Sequence, residues 1–123
     1  VSFAGISDMP RNLKYQMNSF SDKQAREEWR QRVQGDPTFD LKTISPLFNI
    51  DRLKVPVMLL HGTDDQTVQP KQSKLYADAL KAAGRTYEYY ELANEGHGFS
   101  SAENAQLWYD RLDAFLAKHN PAQ

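Results

Sequence analysis

Cysteine is absent from this sequence of 123 residues, which also lacks long apolar runs and an excess of one charge. The lack of cysteine excludes disulfide bonds, thiol catalysis and cysteine-ligated metals, but leaves a cytoplasmic and a periplasmic location equally open. The 15 basic and 16 acidic side chains give a net charge of −1, which does not favour binding to nucleic acid or to an anionic membrane. No apolar run approaches the ~18 residues that a membrane-spanning helix needs. We therefore expect neither nucleic acid nor a membrane as a partner.

The first part of the chain combines a short apolar run with a long polar stretch. Residues 1–6, V-S-F-A-G-I, predict a strand, and no methionine precedes them, so we expect the chain to begin inside a longer polypeptide. Residues 8–49 are polar, and we interpret them as a connecting excursion. Within this stretch, Ser21 and Gln24 fit a capping box, which predicts a helix that ends at the G-D-P of residues 35–37.

A regular alternation of strand and helix signals begins near residue 55. The pattern predicts a strand over residues 57–61, a helix over about 71–83 and a second strand over 87–92. Pro70 opens the helix and Gly84 closes it. This is one βαβ unit, so we expect its two strands to be parallel.

The last predicted element is a helix over roughly residues 102–118, which Asn120 and Pro121 end. Together with residues 1–6, the elements amount to three strands and three helices in an α/β layer architecture. One face of the last helix carries apolar side chains that are expected to cover the sheet: Ala105, Trp108, Leu112, Phe115 and Leu116.

Two loops at the carboxyl ends of the predicted strands carry the residues with catalytic potential. The first is G-T-D-D at residues 62–65, and the second is N-E-G-H-G-F at residues 94–99. Because neighbouring strands lie ~5 Å apart, an aspartate of the first loop and His97 of the second are expected within hydrogen-bonding distance. A carboxylate that orients an imidazole leaves the other ring nitrogen free to take a proton from a nucleophile.

Other interpretations of these residues stay open. Aspartate is common in turns and before helices, so either Asp64 or Asp65 is also compatible with a purely structural role. A metal site is an alternative because imidazole and carboxylate groups ligate divalent ions; its candidate ligands are His61, Asp64, Asp65 and His97. We interpret His61 as a structural residue at the end of its strand.

The order of these motifs resembles that of a known family. An aspartate and then a histidine, each after a strand, are the last two members of the Ser, Asp, His order of α/β-hydrolases. H-G-T-D-D-Q-T-V-Q-P (residues 61–70) and E-G-H-G-F (95–99), with S-P-L-F-N-I-D-R-L-K-V-P-V (45–57) and V-S-F-A-G-I-S-D (1–8) before them, resemble the prolyl oligopeptidase family of serine peptidases. That family includes dipeptidyl and acylaminoacyl peptidases.

The resemblance covers essentially the whole chain, and it implies a fold and two site residues. It implies that residues 1–123 are a C-terminal fragment of the catalytic domain, with about three parallel strands of an α/β-hydrolase fold flanked by helices. The triad acid of the family falls on Asp65, four positions after His61, and the triad base falls on His97.

The nucleophile of the family is not found in this sequence. In the family it lies in a G-x-S-x-G motif before the strand that residues 1–6 resemble. Ser7 and Ser100 each follow a glycine at the required spacing, but neither is followed by the second glycine of the motif.

The resemblance implies part of a serine peptidase that hydrolyses peptide bonds, with a peptide as its substrate and no cofactor. The isolated chain is expected to be inactive. The alternatives are a non-catalytic binding or assembly module with half of a hydrolase fold, and a metal-dependent hydrolase.

We also expect the chain to self-associate. In the family, a further strand lies beside the one that residues 1–6 resemble. Without that neighbour, the strand exposes unpaired backbone groups along a mostly apolar run that contains neither Lys nor Pro. The simplest outcome is a homodimer that forms through the N-terminal strand.

Overall fold

The computed structural model describes residues 1–121, which form three strands and four α-helices. The strands are β1 (Ser2–Phe3), β2 (Val57–Gly62) and β3 (Tyr87–Leu92). The helices are α1 (Met9–Met17), α2 (Lys23–Gln34), α3 (Lys71–Ala82) and α4 (Ala102–His119). Three short 3₁₀ turns, Leu41–Ile44, Pro46–Phe48 and Ile50–Arg52, connect α2 to β2.

The sheet is parallel throughout, with β2 between β1 and β3. The pairing of β2 with β3 runs from Val57 opposite Tyr87 to Gly62 opposite Leu92, so both strands end at the same edge of the sheet. The predicted parallel βαβ unit is therefore confirmed. Its geometry places the loops that follow β2 and β3 side by side.

Strand β2 is apolar because it is covered on both faces, as is usual for a central parallel strand. Met58 and Leu60 pack with Leu92 and Phe115 on the α4 side. Leu59 packs on the opposite side, against residues of α3. Full burial of each such side chain contributes about 1.5–3 kcal/mol, so β2 is firmly held in the core.

Helix α4 covers the sheet largely through the face that the sequence predicts. Trp108, Leu112 and Phe115 pack on the core, and Leu107 joins them. Leu116 was expected on this face but is 39% exposed. It follows Phe115 by one position, which turns its side chain by about 100° around the helix axis and away from the sheet.

The predicted N-terminal strand is too long. Only Ser2–Phe3 form β1, because Ala4 takes a left-handed backbone conformation with φ of 49° and turns the chain out of the sheet. The backbone N–H of Ala4 makes the last hydrogen bond to β2, at 2.9 Å from the carbonyl oxygen of Leu60.

Two features of the excursion over residues 8–49 also differ from the prediction. Helix α2 is capped by Asp22 rather than Ser21, since the Asp22 carboxylate accepts from the backbone N–H of Ala25 at 2.7 Å. Helix α1 was not predicted, although Asp8 as its N-cap and Pro10 in its first turn are recognisable start signals.

Helix α1 is held beside the loop that follows β2. The buried side chain of Gln72 in α3 accepts from the backbone N–H groups of Ser7 (3.0 Å) and Asp8 (2.7 Å), which fixes the chain just before α1. Within α1, the hydroxyl of Tyr15 donates to the carbonyl oxygen of Gln66 at 2.7 Å. The excursion thus supports the candidate site from one side.

None of the helices formed by residues 1–121 combines the length and the apolar composition that crossing a membrane requires.

Candidate active site

Asp65 and His97 meet at the carboxyl edge of the sheet. The Nδ1 atom of His97 lies 2.8 Å from Oδ2 of Asp65, so the contact expected from the two loops is present. The Asp65 side chain is fully buried, whereas 44% of the His97 side chain is exposed. Within residues 1–121, no hydrogen bond reaches Nε2 of His97. The pair therefore consists of a buried carboxylate and an accessible imidazole with one free nitrogen.

The two loops approach each other closely at Gly62, the last residue of β2. A Cβ atom at this position would collide with the backbone oxygens of Glu95 and Gly96, so glycine is required there. Beyond Gly62, the backbone N–H of Asp64 donates to the carbonyl oxygen of Glu95 at 2.9 Å. The N–H of Asn94 donates to the hydroxyl of Thr63 at 3.0 Å. These contacts hold together the aspartate loop (residues 62–65) and the histidine loop (residues 94–99).

The Asp65 carboxylate is fixed at both oxygens. Its Oδ1 accepts from the backbone N–H groups of Thr67 and Val68, each at 2.9 Å, while Oδ2 accepts from His97. Burial raises the pKa of Asp65, but the hydrogen bonds from His97, Val68 and Thr67 outweigh burial and hold the pKa below its usual value. Asp65 is therefore ionised at neutral pH and presents a fixed acceptor to the imidazole.

His61 lies directly behind Asp65 in the core. Its Nε2 lies 2.8 Å from the carbonyl oxygen of Val68, which can only accept, so Nε2 carries the proton. Its Nδ1 then accepts from the hydroxyl of Ser73 at 2.7 Å. The sequence indicates a structural residue here, and the side chain is indeed completely buried. Its contact with the loop that carries Asp65 was not predicted.

Asp64 and the other potential metal ligands are placed differently. Asp64 is exposed, and its Oδ1 accepts from the hydroxyl of Thr63 at 3.1 Å. In the part of the chain that the structure describes, no group of three or more His, Cys, Asp or Glu side chains is arranged to hold a metal ion. The placement of these residues thus gives the metal interpretation no support.

Glu95 is a third carboxylate at the site, and it was not predicted from the sequence. Its side chain is fully buried, and hydrogen bonds from Ser100, Asn104 and Ser101 lower its pKa to about 2. An N-E-G-H-G sequence is typical of a solvated turn. The partners that bury the Glu95 carboxylate lie outside this loop, at the start of the helix that follows. Only the serines at positions 100 and 101, which supply donors, hint at such a contact in the sequence.

Phe99 anchors the far end of the histidine loop. Its ring stacks on Phe3 of β1 with 4.8 Å between the ring centroids and lies 6.3 Å from Trp108 of α4. The loop is thus attached to the sheet and to α4 two residues after His97.

The family model and the individual relatives that match this chain point to one family. Residues 1–122 match the model of the prolyl oligopeptidase family. The chain is 32% identical over 89 residues to dipeptidyl aminopeptidase BIII of Pseudoxanthomonas mexicana, a match that covers 68% of this chain and 13% of that protein.

Solved structures show the same relationship. A Mycobacterium tuberculosis puromycin-hydrolyzing peptidase matches with a TM-score of 0.81 and 27% identity, over 99% of this chain and 18% of that one. The acylaminoacyl peptidase of Pyrococcus horikoshii matches with a TM-score of 0.78 over 99% of this chain and 20% of that one; at 19% identity this match shows the fold alone. The chain thus spans a fifth or less of the length of these relatives. It has the α/β-hydrolase fold, and it belongs to the prolyl oligopeptidase family.

Proposed function

We propose that this chain supplies the acid and the base of a Ser, Asp, His catalytic triad in a serine peptidase, with Asp65 as the acid and His97 as the base. The observation that carries the proposal is the 2.8 Å hydrogen bond between Oδ2 of Asp65 and Nδ1 of His97. Family membership supports the reaction class, since the matched relatives include a dipeptidyl aminopeptidase and a puromycin-hydrolyzing peptidase.

The geometry suits the base of such a triad. A carboxylate only accepts hydrogen bonds, so Asp65 holds His97 in the tautomer that carries its proton on Nδ1. The lone pair of Nε2 then faces the accessible side of the ring. There it takes the proton of a serine hydroxyl as the oxygen attacks the peptide carbonyl, and it returns that proton to the leaving amine. The buried negative charge of Asp65 stabilises the imidazolium between these two steps.

The proposal requires a serine from polypeptide outside residues 1–123. None of the serines in this sequence lies in a G-x-S-x-G motif. We therefore propose that the chain is the C-terminal part of a catalytic domain and is inactive alone. The substrate is a peptide, and the chemistry of the triad needs no cofactor.

The test compares two histidines in the complete gene product that contains these residues. His97→Ala is expected to abolish hydrolysis of a peptide p-nitroanilide almost completely. His119→Ala, at the end of α4, is the matched control and is expected to retain activity. Full turnover by the His97→Ala enzyme would overturn the proposal. A gene product that contains no G-x-S-x-G serine would also overturn it and would favour a non-catalytic binding module.

A further inference from the structure

We infer that Glu95 is a positioning residue, whose carboxylate closes the histidine loop and thereby holds His97 against Asp65. The contacts concern the structure of the loop itself; their consequence for turnover rests on the function proposed above. The arch is residues 96–99, and the Glu95 clamp is the set of hydrogen bonds that the Glu95 carboxylate accepts.

The Glu95 clamp joins the start of the loop to the start of α4. Oε2 of Glu95 accepts from the backbone N–H of Ser100 at 2.7 Å and from its hydroxyl at 2.6 Å. Oε1 accepts from the backbone N–H of Ser101 and from the side-chain amide of Asn104, each at 2.9 Å. Ser101 is the N-cap of α4, so the buried negative charge also lies at the positive end of that helix. Because the Glu95 carboxylate is negatively charged, all four hydrogen bonds are charge-assisted.

The arch needs such a closure because it has little internal support. His97 lies between Gly96 and Gly98, and a Cβ atom at either glycine would meet no other atom within 4 Å. Glycine also allows the backbone more conformations than any other residue. The conformation of residues 96–98 therefore depends on the two ends of the arch and on the hydrogen bond from His97 to Asp65. The Glu95 clamp joins those two ends.

The backbone of Glu95 connects the histidine loop to the loop that carries Asp65. Its carbonyl oxygen accepts from the N–H of Asp64 at 2.9 Å, and this contact is possible because Gly62 has no side chain. Glu95 is thus bonded to the aspartate loop through its main chain and to α4 through its side chain. A change in the clamp is expected to alter the distance between His97 and Asp65.

Replacement by glutamine distinguishes the clamp from simple packing. Glutamine has nearly the same shape as glutamate, but one of its terminal groups is an NH₂ donor. Whichever way the amide turns, this donor faces the backbone N–H of Ser100 or that of Ser101, neither of which can accept. Glu95→Gln therefore disrupts the clamp while it leaves the volume of the side chain almost unchanged.

The first experiment uses residues 1–123 labelled with ¹⁵N-histidine and reads the tautomer of His97 by NMR. In the parent chain, one tautomer with the proton on Nδ1 is expected, with a low-field proton resonance from the bond to Asp65. Glu95→Gln is expected to give a mixture of tautomers and to lose that resonance through faster exchange. The control is Glu103→Gln, an exposed glutamate in the first turn of α4, which should match the parent.

The outcome that would overturn the inference is a folded Glu95→Gln chain in which His97 keeps a single tautomer and its low-field resonance. If that variant does not fold, Ser100→Ala provides the test, since it removes one hydroxyl donor and leaves the carboxylate in place. It is expected to raise the fraction of the second tautomer of His97. An unchanged spectrum for a folded Ser100→Ala chain would likewise overturn the inference.

The second experiment measures turnover in the complete gene product. Glu95→Gln is expected to lower kcat, by up to about 100-fold for a misplacement of the base near 1 Å, with little change in KM. Glu103→Gln should leave both constants unchanged. If His97→Ala proves active, the proposed function fails, whereas the NMR experiment still decides whether Glu95 positions His97. An unchanged kcat for Glu95→Gln alongside an inactive His97→Ala would contradict the positioning role alone.

Discussion

The imidazole Nε2 of His61 lies 3.2 Å from Oδ2 of Asp65, and both side chains are completely excluded from solvent. The same Oδ2 accepts the hydrogen bond from His97. The proton on Nε2 of His61 points mainly at the carbonyl oxygen of Val68, whose own N–H binds the other oxygen of Asp65. His61 therefore supports the Asp65 carboxylate indirectly, through the turn that holds it.

The choice of Asp65 over Asp64 as the acid can be tested by replacing each with asparagine in the complete gene product. Asp65→Asn is expected to lower kcat by about 10⁴-fold, because an amide NH₂ no longer selects the Nδ1–H tautomer of His97. Asp64→Asn should change kcat little, since the Asp64 side chain is exposed and, within residues 1–121, accepts a hydrogen bond from Thr63 alone. A larger loss of kcat in a folded Asp64→Asn enzyme would show that the acid is misassigned.

Replacement of His61 should act mainly on stability. His61→Gln loses at least one of two buried hydrogen bonds, to Ser73 and to Val68, and is expected to lower the free energy of unfolding by about 1–3 kcal/mol. Below the unfolding temperature, kcat should fall far less than it does for Asp65→Asn. Urea unfolding and steady-state kinetics of the two variants provide the comparison. A His61→Gln enzyme of normal stability and very low kcat would contradict this interpretation.

A contact between an aspartate of residues 62–65 and His97 could be predicted from the sequence because it depends on strand order, whereas the choice of Asp65 over Asp64 came from the resemblance to the prolyl oligopeptidase family. Parallel strands joined by a helix place their carboxyl ends together, and the two loops follow those ends directly. The position of Glu95 could not be predicted in this way. Its partners Ser100 and Asn104 belong to the start of α4, and their approach depends on how that helix packs. Helix α1 escaped prediction because it is short, with nine residues, and lies in a polar stretch that was interpreted as a connection.

Residues 1–123 alone should show no peptidase activity. The loss of a triad nucleophile lowers kcat by roughly 10⁶-fold, so background hydrolysis is all that is expected. A fluorophosphonate probe reacts with activated serines and should not label this chain. Stoichiometric labelling of any serine, including Ser7 or Ser100, would show that a nucleophile is present after all. A peptidase with an intact triad is the positive control.

Acid should destabilise the chain in part through Glu95. Its folded pKa of about 2 lies below the usual 4.5, because the hydrogen bonds from Ser100, Asn104 and Ser101 favour the charged form. The stability that Glu95 contributes is thus fully present above pH 4.5 and is lost as the pH falls toward 2. Asp65, whose pKa is also lowered, acts in the same direction.

Urea unfolding at several pH values between 7 and 2.5 measures this effect. Compared with the parent chain, Glu95→Gln should be less stable at pH 7, and the difference should shrink below pH 4.5. Glu103→Gln provides the control with the same change of charge on an exposed residue. A stability difference between Glu95→Gln and the parent that does not vary with pH would show that the charge of Glu95 does not stabilise the fold.

Self-association through β1 is the last prediction, and it follows from the order of the sheet. Within residues 1–121, β1 is an outer strand whose single pairing is with β2. The N–H of Ala4 faces β2, so the alternation along the strand turns the N–H and the carbonyl oxygen of Phe3 outward. Unpaired groups of this kind on an apolar edge favour pairing with a second copy.

Light scattering after size exclusion tests the prediction, and we expect a dimer of the 14.1 kDa chain at high micromolar concentration. Val1→Lys adds a charge beside β1 and should shift the population toward monomer. Val55→Lys is the matched control, because Val55 is exposed but lies outside the sheet. A monodisperse monomer for the parent chain, or an equal effect of the two substitutions, would exclude β1 as the site of association.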